Sequence, residues 1–86
     1  MRIPLPIFAA ALLGITLAFS ANAFEKFNSE SQARQHCPSD VVVWLNLLTM
    51  IWHTRGERWY GATKNGAFVC RQEAAAEGAR GSKNGQ

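Results

Sequence analysis

Two cysteines, Cys37 and Cys70, can be cross-linked in only one way, and in a chain of 86 residues that single possibility constrains the fold more than anything else. Whether the bond forms depends on compartment, and the N-terminus speaks to that. Arg2 supplies a positive n-region, Ile7 to Phe19 (IFAAALLGITLAF) an apolar run, and Ala21-Asn22-Ala23 a small-x-small cleavage pattern. Residues 1–23 therefore read as an export signal cut after Ala23, and the destination as periplasmic or secreted. The apolar run is shorter than the ~20 residues that span a bilayer, and Pro4 and Pro6 interrupt its start. No stable membrane anchor is expected after cleavage. An oxidising compartment and an even cysteine count predict a Cys37–Cys70 disulfide, the alternative being two buried thiols. A domain of about 60 residues buries only about 60% of its unfolded surface. Closing this loop adds roughly 4 kcal/mol in the chain-entropy model, so the bond matters.

The chain from Phe24 on divides into short elements. Phe24 and Phe27 form a lead-in whose rings can dock on a core. Ser29-Glu30-Ser31-Gln32 has the spacing of a capping box and predicts a short helix that Pro38 ends. Val41 to Leu45 is β-branched and aromatic without alternation, which predicts a strand covered on both faces or exposed and sticky on one. Asn46 to Ile51 is open between strand–turn–strand, with a second strand over Met50 to Thr54, and one continuous apolar helix. Turns are expected at Thr54–Glu57 and at Gly61–Gly66, the latter through Asn65-Gly66. A short extended segment, Arg58-Trp59-Tyr60, lies between them. Ala67 to Val69 reads as a last strand and Arg71 to Glu77 as a helix stopped by Gly78. The expected fold is α+β: short N-terminal helix, three- or four-stranded antiparallel sheet, C-terminal helix and one disulfide. The domain spans residues 24–80, and residues 81–86, which hold no apolar side chain, are expected to fray.

The pattern Trp44-x-Asn46, Trp52-His53-x-x-Gly56-x-Arg58-Trp59-Tyr60-Gly61-x-Thr63-Lys64-x-Gly66-x-Phe68-x-Cys70, Glu73-Ala74 and Gly78-x-Arg80 resembles a family of small uncharacterised secreted proteobacterial proteins. The resemblance covers Ser29 to about Arg80 and carries no activity with it. At Asn46 to Met50 that family has a polar turn, roughly Asn-Thr-Lys-Ser-Gly, where this chain has Asn-Leu-Leu-Thr-Met. More remotely, the aromatic-His turn, the Tyr-Gly segment and the closing helix resemble the zinc-binding domain of the Ada DNA alkylation-repair protein and a related module of some secreted nucleases. Those domains imply ligands at the positions of His53 and Glu57 and at a pair just after the G-x-R. Here that pair is Gly81 and Ser82, so the resemblance implies an inherited fold with a dismantled zinc site.

Four function classes bear weighing. His36, Cys37, His53 and Cys70 are zinc-ligand types, but no C-x-x-C or H-x-x-x-H pair occurs, and a disulfide uses both thiols. No metal or other cofactor is expected. A Cys/His nucleophile is opposed by the same disulfide, and nucleophile-elbow and phosphate-loop motifs are missing, so the chain reads as no enzyme. Arg55, Arg58 and Lys64 interleave with Trp52, Trp59 and Tyr60, as in faces that track phosphates while stacking on bases. In an extended strand Arg58 and Tyr60 would share one face and Trp59 the other. The candidate binding face is His53, Arg55, Arg58, Tyr60 and Lys64. The net charge of +3, one unit lower without Arg2, is too mild to demand nucleic acid. Leu47, Leu48 and Met50 on a hairpin tip would expose apolar surface suited to self-association. The reading is thus a small exported non-catalytic interaction module of unknown ligand, with weak binding of single-stranded nucleic acid or another polyanion through the arginine and aromatic face as the alternative.

Overall fold

Ser29 opens the first helix as its spacing to Gln32 predicts. In the computed structural model, which describes residues 24–86, the Ser29 hydroxyl accepts the Gln32 N–H at 3.2 Å and helix α1 runs Glu30–His36. The expected export signal lies outside the described residues. Cys37 closes α1 with its own N–H on the Ala33 carbonyl, 3.0 Å away, just before Pro38 forbids a further turn. Strands β1 (Val42–Asn46), β2 (Ile51–His53) and β3 (Gly66–Cys70) follow, then helix α2 (Arg71–Ala76) and strand β4 (Arg80–Gly81). The Cys37–Cys70 disulfide is formed, with Cα atoms 6.3 Å apart.

The described residues make one four-stranded sheet in the order β3-β1-β2-β4. β1 is antiparallel to both neighbours, but β4 lies parallel to β2, so the sheet is mixed where a purely antiparallel one was expected. The cause is the segment after α2. Arg80 donates its N–H to the Met50 carbonyl (3.1 Å) and Ser82 to that of Trp52 (3.0 Å), so the chain joins the sheet where fraying was expected. β1 is interior, which accounts for its unbroken apolar sequence. Val43 and Leu45 on one face are fully buried with Val69, Ala67 and Ala74. On the other face Trp44 stacks edge-on with Phe68, ring centroids 4.9 Å apart. Both lead-in aromatics dock: Phe24 packs on the core, and Phe27 exchanges two 2.9 Å backbone hydrogen bonds with Phe68.

α2 follows β3 without a loop, and Cys70 at its N-cap supplies no side-chain bond. Asp40 substitutes from far away in sequence, accepting the Gln72 N–H on Oδ2 at 2.9 Å. A carboxylate at that end also suits the helix dipole. Gly78, at φ +97°, stops α2 as expected.

Asn46 to Ile51 resolves as a turn between strands, which excludes the continuous helix. Met50 N–H bonds the Asn46 carbonyl at 2.8 Å, and Met50 takes φ +60°. A Cβ is strained in that left-handed conformation, so Met50 stands where glycine would be easier. Leu47 and Met50 turn inward onto the core, and only Leu48 stays out, at 77% exposure. Of the expected three-residue apolar tip, Leu48 alone is fully exposed, and one exposed leucine is unremarkable. Replacing Leu48 with Lys should shift stability by less than about 0.5 kcal/mol, whereas Leu47→Lys should lower the melting temperature clearly. Thermal melts of the two variants check this.

Asn65-Gly66 is not the tight turn its composition suggests. Gly66 begins β3 opposite Asn46, and a Cβ there would stand 2.2 Å from Cζ2 of Trp44. Glycine is needed so that the indole can lie on the backbone. Gly66→Ala should cost about 2 kcal/mol or more by overpacking, a fall of roughly 10 °C or more in a domain of this size. An unchanged melting curve would contradict this close approach.

Candidate functional site

The stretch Thr54 to Asn65 carries most of the expected binding face, and it is coiled rather than extended. Glu57 N–H bonds the Thr54 carbonyl (2.9 Å), Tyr60 that of Glu57 (3.1 Å) and Ala62 that of Trp59 (3.0 Å). Gly56 at φ +95° and Gly61 at φ +69° permit these successive turns. The alternation expected of Arg58-Trp59-Tyr60 therefore does not apply. Its failure distributes the five candidate residues over different surroundings.

Arg55 and Tyr60 go to α1. The Tyr60 hydroxyl donates to Glu30 Oε2 at 2.9 Å, Arg34 stands 2.9 Å from the same oxygen, and the Arg55 guanidinium binds it through Nε (3.2 Å) and Nη2. The Arg55 and Tyr60 hydrogen bonds, with the charges of Arg55 and Arg34 beside them, hold the Glu30 carboxyl below the usual range. Burial, then the bond to Glu30, raises the Tyr60 hydroxyl. The Tyr60 ring meets Phe68 edge-on at 5.6 Å. These two members of the expected face fasten the coil to the helix.

His53 is buried, with 7% of its surface exposed, at the end of β2. Its Nδ1 lies 3.9 Å from Glu57 Oε1, too long for a hydrogen bond, and has no partner. Glu57 instead accepts the Thr54 N–H at 2.8 Å. Arg58 sits over the Trp59 ring, 5.0 Å from its centroid. Lys64 and His53 are the expected residues that line an open cavity.

That cavity is a groove of about 620 Å³. Ile51, His53 and Asn46 form its floor on the sheet, Trp59, Thr63 and Lys64 one side, and Arg80 with Lys83 the other. Thr63 is itself fixed, its hydroxyl accepting the Trp44 Nε1–H at 2.7 Å. Trp59, 38% exposed, offers ring surface, and its backbone N–H bonds the Gln86 carbonyl at 2.9 Å. Three cations thus border one groove, and among the described residues no Asp or Glu side chain lines it.

Lys83 was missed because residues 81–86 read as a tail, and Arg80 because it stands at the last position before it. The available signal was Ser82-x-Asn84-x-Gln86, residue types that bond local backbone. Ser82 Oγ meets Asn84 Oδ1 at 2.9 Å, and Ser82 Oγ and Asn84 Oδ1 both accept the Gln86 N–H at 3.2 Å. Of the expected metal-type residues, His53 is set apart, two strands away from Cys70, while His36 stands near Cys70, which is bonded to Cys37. Among the described residues no helix is long and apolar enough to cross a membrane. Compared with protein-family models, curated proteins and solved structures, the chain finds no match in any of the three.

Glu30 and Tyr60 make the fold pH-sensitive at both ends. A lowered carboxyl pKa contributes stability that is full above the unfolded value of about 4.3 and is lost as pH falls through the folded one. A raised phenol contributes stability that is full below about pH 10 and is lost as pH rises through its folded value. Glu30→Gln should flatten the acid limb and lower the Tyr60 titration, which the absorbance of this single tyrosine reports cleanly. Identical acid limbs in both proteins would show that Glu30 does not govern the loss.

Proposed function

We propose that this protein is a small exported, non-catalytic binding module, and that its groove takes an anionic ligand. The observation that carries the reading is the grouping of Lys64, Arg80 and Lys83 with Trp59 around one groove whose described lining has no Asp or Glu side chain. The cations attract negative charge, and the Trp59 ring accepts a flat or apolar body. The Arg58 guanidinium over that ring holds it by a cation–π contact. Of the expected face His53, Arg55, Arg58, Tyr60 and Lys64, this reading keeps His53 and Lys64 at the groove and adds Trp59, Arg80 and Lys83. Export rests on the N-terminal signal pattern, and the disulfide agrees with it. Kinship with the small secreted proteobacterial family is part of the same proposal.

The test is a fluorescence titration with two probes, a short oligothymidylate and a sulfated oligosaccharide. Neutralising up to three cations predicts a salt slope of about −2, so binding should weaken roughly tenfold to twentyfold between 50 and 200 mM salt. The double variant Lys64→Glu, Lys83→Glu should abolish binding while the melting curve stays within about 0.5 kcal/mol of the parent's stability. Trp59→Phe should remove most of the signal. Which probe binds identifies the ligand class. Binding that ignores salt and these variants, or no binding of either probe at low salt, would sink the proposal.

A further inference from the structure

We infer that the disulfide end of the fold is a redox-gated metal site. When the Cys37–Cys70 bond is reduced, Cys37 Sγ, Cys70 Sγ, His36 Nε2 and the Glu73 carboxylate form a four-ligand site for a zinc-type ion. The His36 Nε2 and Glu73 Oε2 atoms are 2.8 Å apart, and these two groups and Cys70 Sγ offer ligand atoms all within 4.8 Å of one another. Cys37 Sγ lies outside that cluster but is bonded to Cys70 Sγ, so reduction leaves a second thiol beside the three. A tetrahedral zinc ion with bonds of 2.0–2.3 Å needs its ligand atoms about 3.5 Å apart, so the His36–Glu73 pair has to open by less than about an ångström, Cys70 Sγ to close on them by about one, and the two sulfurs to separate once their bond is cut.

The backbone explains the convergence. His36 and Cys37 end α1, while Cys70 and Glu73 stand three residues apart where β3 passes into α2. Neighbours in sequence are poor joint ligands when nothing else directs them. Here the long His36 side chain reaches Glu73 and the short Cys37 side chain reaches Cys70, and both partners belong to one helical turn. Glu73 has capacity to spare: its Oε1 is buried and unpartnered. Glu25, Glu73 and Glu77 also border a cavity of about 390 Å³ beside His36, a negatively charged approach for a cation.

The chemistry balances with a dithiol reductant. It gives two electrons and two protons to the Cys37–Cys70 bond, yields two thiols and becomes a disulfide itself. A divalent ion then displaces both thiol protons as two metal–sulfur bonds form. In the oxidised protein neither sulfur is a thiolate, and His36 with Glu73 alone makes a weak site. The oxidised protein and its metal-binding form are alternatives set by redox state.

Anaerobic titration of the phosphine-reduced protein with Co²⁺ tests this, read by the visible bands of tetrahedral sulfur-bound cobalt. One equivalent should bind, Zn²⁺ should displace it, and the oxidised protein should give no such bands. His36→Ala and Glu73→Ala should each weaken binding at least tenfold, and Cys70→Ser should abolish it. If reduction unfolds the protein, one equivalent of Zn²⁺ should restore the far-ultraviolet circular dichroism of the parent. No stoichiometric cobalt in the reduced protein, no such restoration after unfolding, equal uptake by the oxidised protein, or full affinity in both alanine variants would overturn the inference.

Discussion

The Cys37–Cys70 bond matters because so little else is available to hold the chain together. The fully buried apolar side chains of any size are Leu45, Val43 and Val69, and the rest of the buried core is largely alanine. Burying three such groups contributes roughly 1.5–3 kcal/mol apiece, small beside the entropy of ordering the chain. The cross-link acts where that shortage is greatest. It joins the end of α1 to the junction of β3 and α2, so both helices hang from one covalent point. Asp40, by capping α2 from the far side of the disulfide loop, secures the same junction without covalency.

The two faces of the sheet do different work. The face under α2 is lined by Val43, Leu45, Ala67 and Val69, with Ala74 small enough for close approach. The opposite face is aromatic and polar. Trp44, Phe68 and Tyr60 meet edge to edge there, and Glu30 gathers Arg34, Arg55 and Tyr60 onto one oxygen. Fixing the Thr54–Asn65 coil in this way leaves Trp59, Thr63 and Lys64 beside the uncovered half of the sheet, and that remainder is the groove.

What the sequence disclosed was local or covalent. Ser29 and Gln32 are three residues apart, Gly78 ends its own helix, and two cysteines admit one pairing. β1 was legible because an interior strand has to be apolar on both faces. The misreadings all involve partners remote in sequence. Gly66 resembled a turn residue, but its reason is an indole twenty-two positions earlier in the chain, at Trp44. Arg58 to Tyr60 resembled a strand, yet Tyr60 is held by Glu30 and two glycines coil the backbone around it. Arg80 to Gln86 had no apolar residue to announce a strand, since β4 is held by backbone bonds to Met50 and Trp52. The binding face was read as a strand pattern, whereas the groove is assembled by contacts between segments.

The parallel pairing of β4 with β2 sets an order of events. A chain synthesised amino end first presents α1, β1, β2 and β3 before Arg80 to Gln86 have been made. Until those residues settle against Met50, Trp52 and Trp59, one wall of the groove is missing and two of its three bordering cations are absent. The nascent chain can complete most of its sheet, but the groove is the last part of the fold to be finished.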